Sequence, residues 1–550
     1  MVDEQTPWPP PPREPGPWGG GPPVAPPGNT PLPPLPGAGG TMQTSPGSTN
    51  PWAAAGSSPG TPSPPPPQAR NPFPGLPTGP KLVDRAPIAV VVASAIIVLA
   101  LVAGGAYIVL NKGPSYPKEW NPKVRAIAEW VAKDRKLEFD HKVEVLFLTP
   151  AEYTKASTGE DEGADASAAP TDASKKENEQ QVANLRALGF LQGDLDLDAA
   201  GKTLQDSGSL AFYSPDTKKI YIRGETMTPS LRVTLAHELT HVLQDQHFDL
   251  GRIDHFTDGR ASVMRAIAEG DATRIEDDYK TKVLTKAEQA EYDKQSKAEG
   301  DKAQTTLDKK VPDILTTFFA APYILGPELV KYLAADGGAA KIDAALTDVP
   351  TEEVLFNPLT SGTPEAAAKA VTLDNPVSGD PLDEGEFGPT AWYLMLATRV
   401  DAHVALRAVD GWGGDHYVVY EESGKVCESV KAEMDTPKDA TELTGALMTW
   451  VGKSPKGTAS VSNADGTISF KTCDPGKDAK LPGTTATTDL LSLPAARTDI
   501  YVSVVAQVSA SKASCYANAV VDGLTIAQLN SPELTPAMNQ VVATARTRCI

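Results

Sequence analysis

Histidine, cysteine and basic charge are all scarce in this 550-residue chain, and each shortage narrows what it can be. Lysine and arginine number 50 against 70 aspartates and glutamates, a formal charge of −20 that falls wholly on residues 111–550. So acidic a chain argues against nucleic acid and against anionic membrane surfaces as partners. The four cysteines, Cys427, Cys473, Cys515 and Cys549, all lie toward one end. An even number in that position suits two disulfides in an oxidising compartment, and adjacent pairing, Cys427–Cys473 and Cys515–Cys549, is the preferred connectivity of three. With only seven histidines, an accidental HExxH is rare, so the one that occurs carries weight.

Charge is missing altogether from 86–110, "APIAVVVASAIIVLALVAGGAYIVL", 25 residues long. That run is long enough to cross a bilayer as one helix and lies too far along the chain to be a cleaved signal peptide, so it predicts a single transmembrane helix. Before it, residues 1–85 hold 27 of the 51 prolines and only eight charges, which cancel. A segment of that kind cannot bury enough apolar surface to offset its chain entropy, and a disordered tail with polyproline II stretches is expected. Arg70, Lys81 and Arg85 precede the span while Lys112, Lys118, Lys123 and Arg125 follow it, which leaves its orientation undecided. The cysteines settle the expectation. The tail is placed in the cytoplasm, open to partners there, and the remainder outside, as a single-pass protein of the cell membrane.

Beyond the span, a linker over 111–122 leads to a domain over 123–454 and a cysteine-containing region over 455–550. Val124, Ile127, Trp130 and Val131 recur at helical spacing, and "KVEVLFLT" reads as a strand that Pro150 ends. The polar stretch 156–181 reads as a solvated insertion. The runs "LAFY" and "KIYIR" around "SPDT" predict a β-hairpin. Thr228 before Pro229 predicts the start of a helix through "PSLRVTLAHELTHVLQDQ", and a second helix begins near Asp258. The following "TKAEQAEYDKQSKAEGDKAQ" is charged on all sides and reads as a surface excursion. Strand-like segments follow "DGWGGDHYVVY", and the final region mixes "TISFKTC" and "IYVSVVAQVSA" with helices.

The chemistry concentrates in "HELTHVLQDQH". Four residues apart on a helix, His237 and His241 share one face and can direct imidazole nitrogens at a single ion. Glu238 then lies beside that ion, placed to take a proton from water and pass it to a leaving amine. A catalytic zinc needs a third protein ligand and one open position. His247 has the spacing of HExxHxxGxxH, but Gln244 stands where that pattern has glycine. A continuing helix would carry His247 about 15 Å along the axis from His237. Glu269, in "AIAEGDAT" on the second helix, is the better third ligand, with Gly270 allowing close backbone approach. Asp271, Glu276 and Asp277 are its rivals, and Asp271 or Thr273 is a candidate to orient a ligand histidine.

With "AHELTHVLQDQHFDL" and "AIAEGDAT", the chain resembles the gluzincin-type zinc metallopeptidases, in particular the membrane-anchored ones of actinobacteria. "YILGPELVKYLAADGG", "PTEEVLFNP", "FGPTAWYLMLA" and "GWGGDHYVVY" extend the likeness over roughly residues 115–450. The resemblance implies an α+β zincin-like fold, a small sheet with the HExxH helix and a mainly helical second lobe. It also implies zinc on His237, His241 and Glu269, and Glu238 as catalytic base. Asn357-Pro358 stands where many relatives have a histidine-proline pair, which makes that position structural here. The "KIYIR" strand would be an edge that pairs with extended substrate. An oxyanion donor is also needed, and His416 and Tyr417 are its candidates, unless they only enter a strand from a glycine-rich turn. The expected activity is cleavage of peptides or proteins outside the cytoplasm. The alternative is a non-catalytic envelope scaffold or binding protein built on the same domain.

Overall fold

The computed structural model describes residues 116–158, 172–206, 210–361, 363, 367–377, 381–531 and 534–550. Helix α1 (Arg125–Arg135) forms because Val124, Ile127, Ala128 and Val131 repeat at three- and four-residue spacing and are all buried. Lys136, in the left-handed conformation, ends it. Strand β1 (Glu144–Leu148) and the hairpin of β2 (Ala211–Ser214) and β3 (Lys219–Arg223) make a three-stranded sheet in the order β1-β3-β2. β1 runs parallel to β3, and β2 antiparallel. Ile220 and Ile222 alternate onto one face of β3 and are fully buried in one core with Leu235, Leu239 and Val242 of the next helix. "KIYIR" is therefore the central strand and not an edge, because β1 pairs along its whole length; β2 is an edge.

That next helix, α2 (Pro229–Phe248), is capped by the Thr228 hydroxyl, which accepts from the Leu231 N–H, and it runs unbroken to Asp249. A short 3₁₀ turn leads to α3 (Asp258–Lys282), which packs on α2. The charged stretch that follows is no loose excursion. It forms α4 (Lys286–Lys310), started by a capping box between Thr285 and Glu288, with Tyr292, Ser296, Gly300, Ala303 and Leu307 buried. These five follow one another at three or four residues, a narrow stripe that the surrounding charges mask in the sequence. The stretch expected as a solvated insertion enters a helix, Asp172–Ala187, whose buried residues, Val182, Ala183, Arg186 and Ala187, all lie beyond residue 181.

Against α3 lies α5 (Asp313–Gly337). A Cβ on Gly326 would sit 2.0 Å from the Ala266 carbonyl oxygen, and one on Gly270 only 2.4 Å from that of Gly326. Gly270 thus permits close approach, but to α5 and not to α2.

The remainder is built on a five-stranded antiparallel sheet of β4 (Asp383–Gly385), β5 (Trp412–Glu422), β6 (Lys425–Met434), β7 (Ala459–Ala464) and β8 (Thr467–Cys473), in the order β4-β5-β6-β8-β7. The expectation of a mainly helical second lobe is corrected accordingly. β6 and β8 lie on opposite sides of residue 454 and pair over seven positions, so the boundary drawn at 454/455 cuts through one sheet. Cys427 and Cys473 face each other in that pair and are bonded, and Cys515 is bonded to Cys549. "IYVSVV" is helical, within Ser492–Val505, with Ile500, Tyr501 and Val504 buried.

At the heart of this half, Asp415 collects four donors: the indole N–H groups of Trp392 and Trp412 and the backbone N–H groups of Phe387 and Gly388. Close by, burial pushes the Glu352 carboxyl up to about 8 although the Thr390 N–H donates to it, and Glu386 and Asp415 push the same way. The folded protein therefore keeps a proton that the unfolded chain loses above its ordinary 4.5, so the cost of Glu352 is absent at low pH and grows toward pH 8. Glu352→Gln, which cannot ionise, is expected to gain stability over the native chain as pH rises from 5 to 8, read from urea denaturation midpoints. An equal difference at both pH values would contradict the assignment.

The expected tail (1–85), transmembrane helix (86–110) and the linker up to residue 115 lie outside the described residues. Among the described residues no helix is long and apolar enough to cross a membrane. The membrane-spanning element and the single-pass localisation built on it therefore have no counterpart among the described residues, whose fold is mixed helix and sheet.

Candidate metal centre

Helical geometry brings His237 and His241 to one side of α2, with ring centroids 4.7 Å apart. Opposite them α3 presents Glu269. Its Oε2 lies 3.1 Å from His237 Nε2 and 3.5 Å from His241 Nε2. All three residues are buried, and one ligand atom from each falls within 4.8 Å of the others. Both Nε2 atoms thus point at a single carboxylate oxygen, and both Nδ1 atoms point away to other partners. His237 Nδ1 is 3.1 Å from Glu276 Oε2, and His241 Nδ1 is 2.8 Å from Gln244 Oε1.

Buried atoms without hydrogen bonds mark the inner face of the cluster. Glu238 Oε1, His241 Nε2 and Glu269 Oε1 are each shut off from solvent with no hydrogen-bond partner. Buried polar atoms of this kind are costly unless something else satisfies them. The donor set, two imidazoles and a carboxylate, suits a zinc ion, and the open acceptors fit one. Glu238 is anchored on its other oxygen, where Oε2 accepts from the Tyr213 N–H of β2 at 2.8 Å.

The protein's own titratable groups act strongly on one another here. Burial pushes the Glu238 carboxyl up to about 7, against the pull of His237 and His241. For Glu269 burial acts in the same upward direction, but the adjacent His241 and His237 outweigh it and hold the carboxyl at about 2. Burial opposes a charge on either histidine, yet Glu269 and Glu276 beside His237, and Glu269 beside His241, raise both above their ordinary value.

Of the residues singled out in the sequence, His237, Glu238, His241 and Glu269 come together here. His247 does not. α2 continues past Gln244, and His247 Nε2 meets the Glu138 carbonyl at 2.8 Å. His416 and Tyr417 sit in β5, where Tyr417 donates to Asp383 and His416 lies 3.8 Å from Glu384. A Cβ on their strand neighbour Gly385 would lie 2.9 Å from Asp258 Oδ2 at the start of α3, eleven residues before Glu269 and so about 16 Å away along the helix. The "GGDHYVVY" segment is explained by Asp415 and its four donors, and neither residue reaches the cluster. Nor does Asp271 or Thr273 hold a histidine; Glu276 and Gln244 do so directly.

Two contributors were missed. Tyr292, from the stretch read as remote from the ligands, donates its hydroxyl to Glu276 Oε1 at 3.1 Å and so steadies the partner of His237. Gln244 was weighed only as a helix former. Spacing could have found Gln244, which follows His241 by three residues, but not Tyr292, which lies on another helix.

Residues 375–485, about a fifth of the chain, match a family described as a domain of unknown function, DUF8575. The match covers β4, β5, β6, β7 and β8 and leaves the His237, His241 and Glu269 cluster outside it. No curated protein and no solved structure matches the chain, and the zincin-like fold class is accordingly replaced by the mixed helix and sheet described above.

Proposed function

We propose that this chain is a zinc-dependent peptidase, with His237, His241 and Glu269 as metal ligands and Glu238 as general base and acid. One observation carries the reading: two imidazole Nε2 atoms and a carboxylate, all buried, face one another within 4.8 Å, and Glu238, next to His237 in the chain, keeps a buried oxygen with no hydrogen-bond partner. A bound zinc ion supplies Lewis acidity, polarising a peptide carbonyl and making water acidic enough to attack near neutral pH.

The chain's own groups do the rest. Glu238 accepts a proton on Oε1 from the attacking water while Oε2 stays fixed by the Tyr213 N–H. As the water oxygen bonds to the carbonyl carbon and the C–N bond breaks, Glu238 passes that proton to the departing nitrogen. Closed off from solvent, with its carboxyl at about 7, it is suited to both halves of the transfer at neutral pH. Strand β2, an edge of its sheet, carries Tyr213 past this carboxylate, which supports an extended peptide lying along it. An ion that only braced the fold would not require an acid at Glu238, and this favours turnover over a scaffold.

Purified protein is expected to cleave members of an unbiased peptide library, to stop when a chelator removes the metal, and to recover on addition of stoichiometric zinc. Zinc-loaded protein that cleaves nothing, or cleavage indifferent to the chelator, would contradict the proposal.

A further inference from the structure

The amide of Gln244 is committed on every side. Its Nε2 lies 2.9 Å from the Ala268 carbonyl oxygen and 3.1 Å from Asp271 Oδ2, and its Oε1 lies 2.8 Å from His241 Nδ1. Both Ala268 O and Asp271 Oδ2 are acceptors. Asp271 is moreover paired with two guanidinium groups, those of Arg135 at 2.6 Å and Arg274 at 2.9 Å. An amide has two N–H donors on nitrogen and only acceptor capacity on oxygen. Turned the other way, Gln244 would set its oxygen against two acceptors at once in a site closed to solvent. The orientation is therefore dictated by chemistry, and an oxygen faces the imidazole.

A consequence follows for the histidine. An oxygen at 2.8 Å requires a proton on His241 Nδ1. Whatever its total proton count, His241 can then offer a lone pair only from Nε2, the atom that faces Glu269 and has no hydrogen bond. His237 has the same arrangement by another means, a carboxylate, Glu276, at its Nδ1. Two acids beside the pair already, Glu269 and Glu276, make a neutral amide the less repulsive choice for the second histidine.

We propose that Gln244 is a positioning residue: its amide, held by Asp271 and the Ala268 carbonyl, locks His241 in the Nδ1–H form so that Nε2 is the atom offered to a metal ion. This rests on the metal-site reading above and adds to it which nitrogen binds and what fixes it. The same residue stands where the HExxHxxGxxH pattern has glycine, and its side chain gives it a second task beside continuing the helix.

Zinc alone is the probe. Affinity of the purified chain is measured by competition with a chromophoric chelator, and the imidazole ¹⁵N shifts of His241 are read in the zinc-loaded protein. Gln244→Met, close in size but without an acceptor, is expected to weaken zinc binding by about 10- to 100-fold. In the native protein His241 should show a proton-bound Nδ1 and a metal-bound Nε2, a result that needs no variant to fold. Unchanged affinity in Gln244→Met, or zinc on Nδ1, overturns the inference and leaves the metal site standing. A native chain that takes up no zinc overturns the site and the inference together.

Discussion

Replacing Glu238 with glutamine is expected to cut peptide hydrolysis by about 10²- to 10⁴-fold while zinc content stays at the native level. The two effects separate because the ion and the proton are handled by different groups. Glutamine keeps the shape of the side chain and an oxygen for the Tyr213 N–H that anchors it. It cannot accept a proton from water or return one to the leaving nitrogen. Nor is the fold at risk, since burial disfavours the charged form of this carboxyl and the amide removes that cost. Initial rates on the best peptide from the library, alongside metal analysis of the same preparation, decide the matter. A variant that turns over at the native rate would show that Glu238 is not the proton carrier.

Arg135→Met is expected to destabilise the protein by about 3–5 kcal/mol, an effect as large on stability as the first is on rate. Arg135 is wholly buried, where it bonds Asp271 at 2.6 Å and also pairs with Asp343. Methionine fills much of the same volume, so packing is largely kept. What is lost is the main counter-charge of Asp271, a carboxylate with no exposure that would be left with Arg274 and the Gln244 amide. Taking one partner from a buried pair is costly because the other stays behind unsolvated. The link also reaches the His237, His241 and Glu269 cluster, since Asp271 holds Gln244 and Gln244 holds His241. Urea denaturation of the two proteins measures the loss, and a change under about 1 kcal/mol would mean that the pair is easily replaced.

The grouping of His237, His241 and Glu269 was legible because helix periodicity is a strict constraint. Two histidines four residues apart must share a face, and a helix beginning near Asp258 had a carboxylate, Glu269, on the side it turns to α2. What holds those ligands was not legible, because a hydrogen bond between Nδ1 and its acceptor depends on side-chain direction and not only on spacing. Gln244 drew notice for its backbone propensity, and the pattern gave no sign that its amide was already spoken for on three sides. Helix α4 was hidden for another reason: its buried residues, such as Ser296, Gly300 and Ala303, are small and read as neutral among the charges. The place of β3 in its sheet could not be read locally, since a strand's rank depends on a partner, β1, far away in the chain. "GWGGDHYVVY" misled in the opposite direction, as a glycine-rich turn that looked poised for chemistry proved to deliver Asp415 to two tryptophans and two backbone N–H groups.

Metal analysis of the purified chain beside its Glu269→Ala and His247→Ala variants tests the central claim most directly. The native protein and His247→Ala should each hold about one zinc ion per chain, because His247 is bonded to the Glu138 carbonyl away from the pocket, and Glu269→Ala should hold almost none. Retention of zinc by Glu269→Ala together with its loss from His247→Ala would contradict the account.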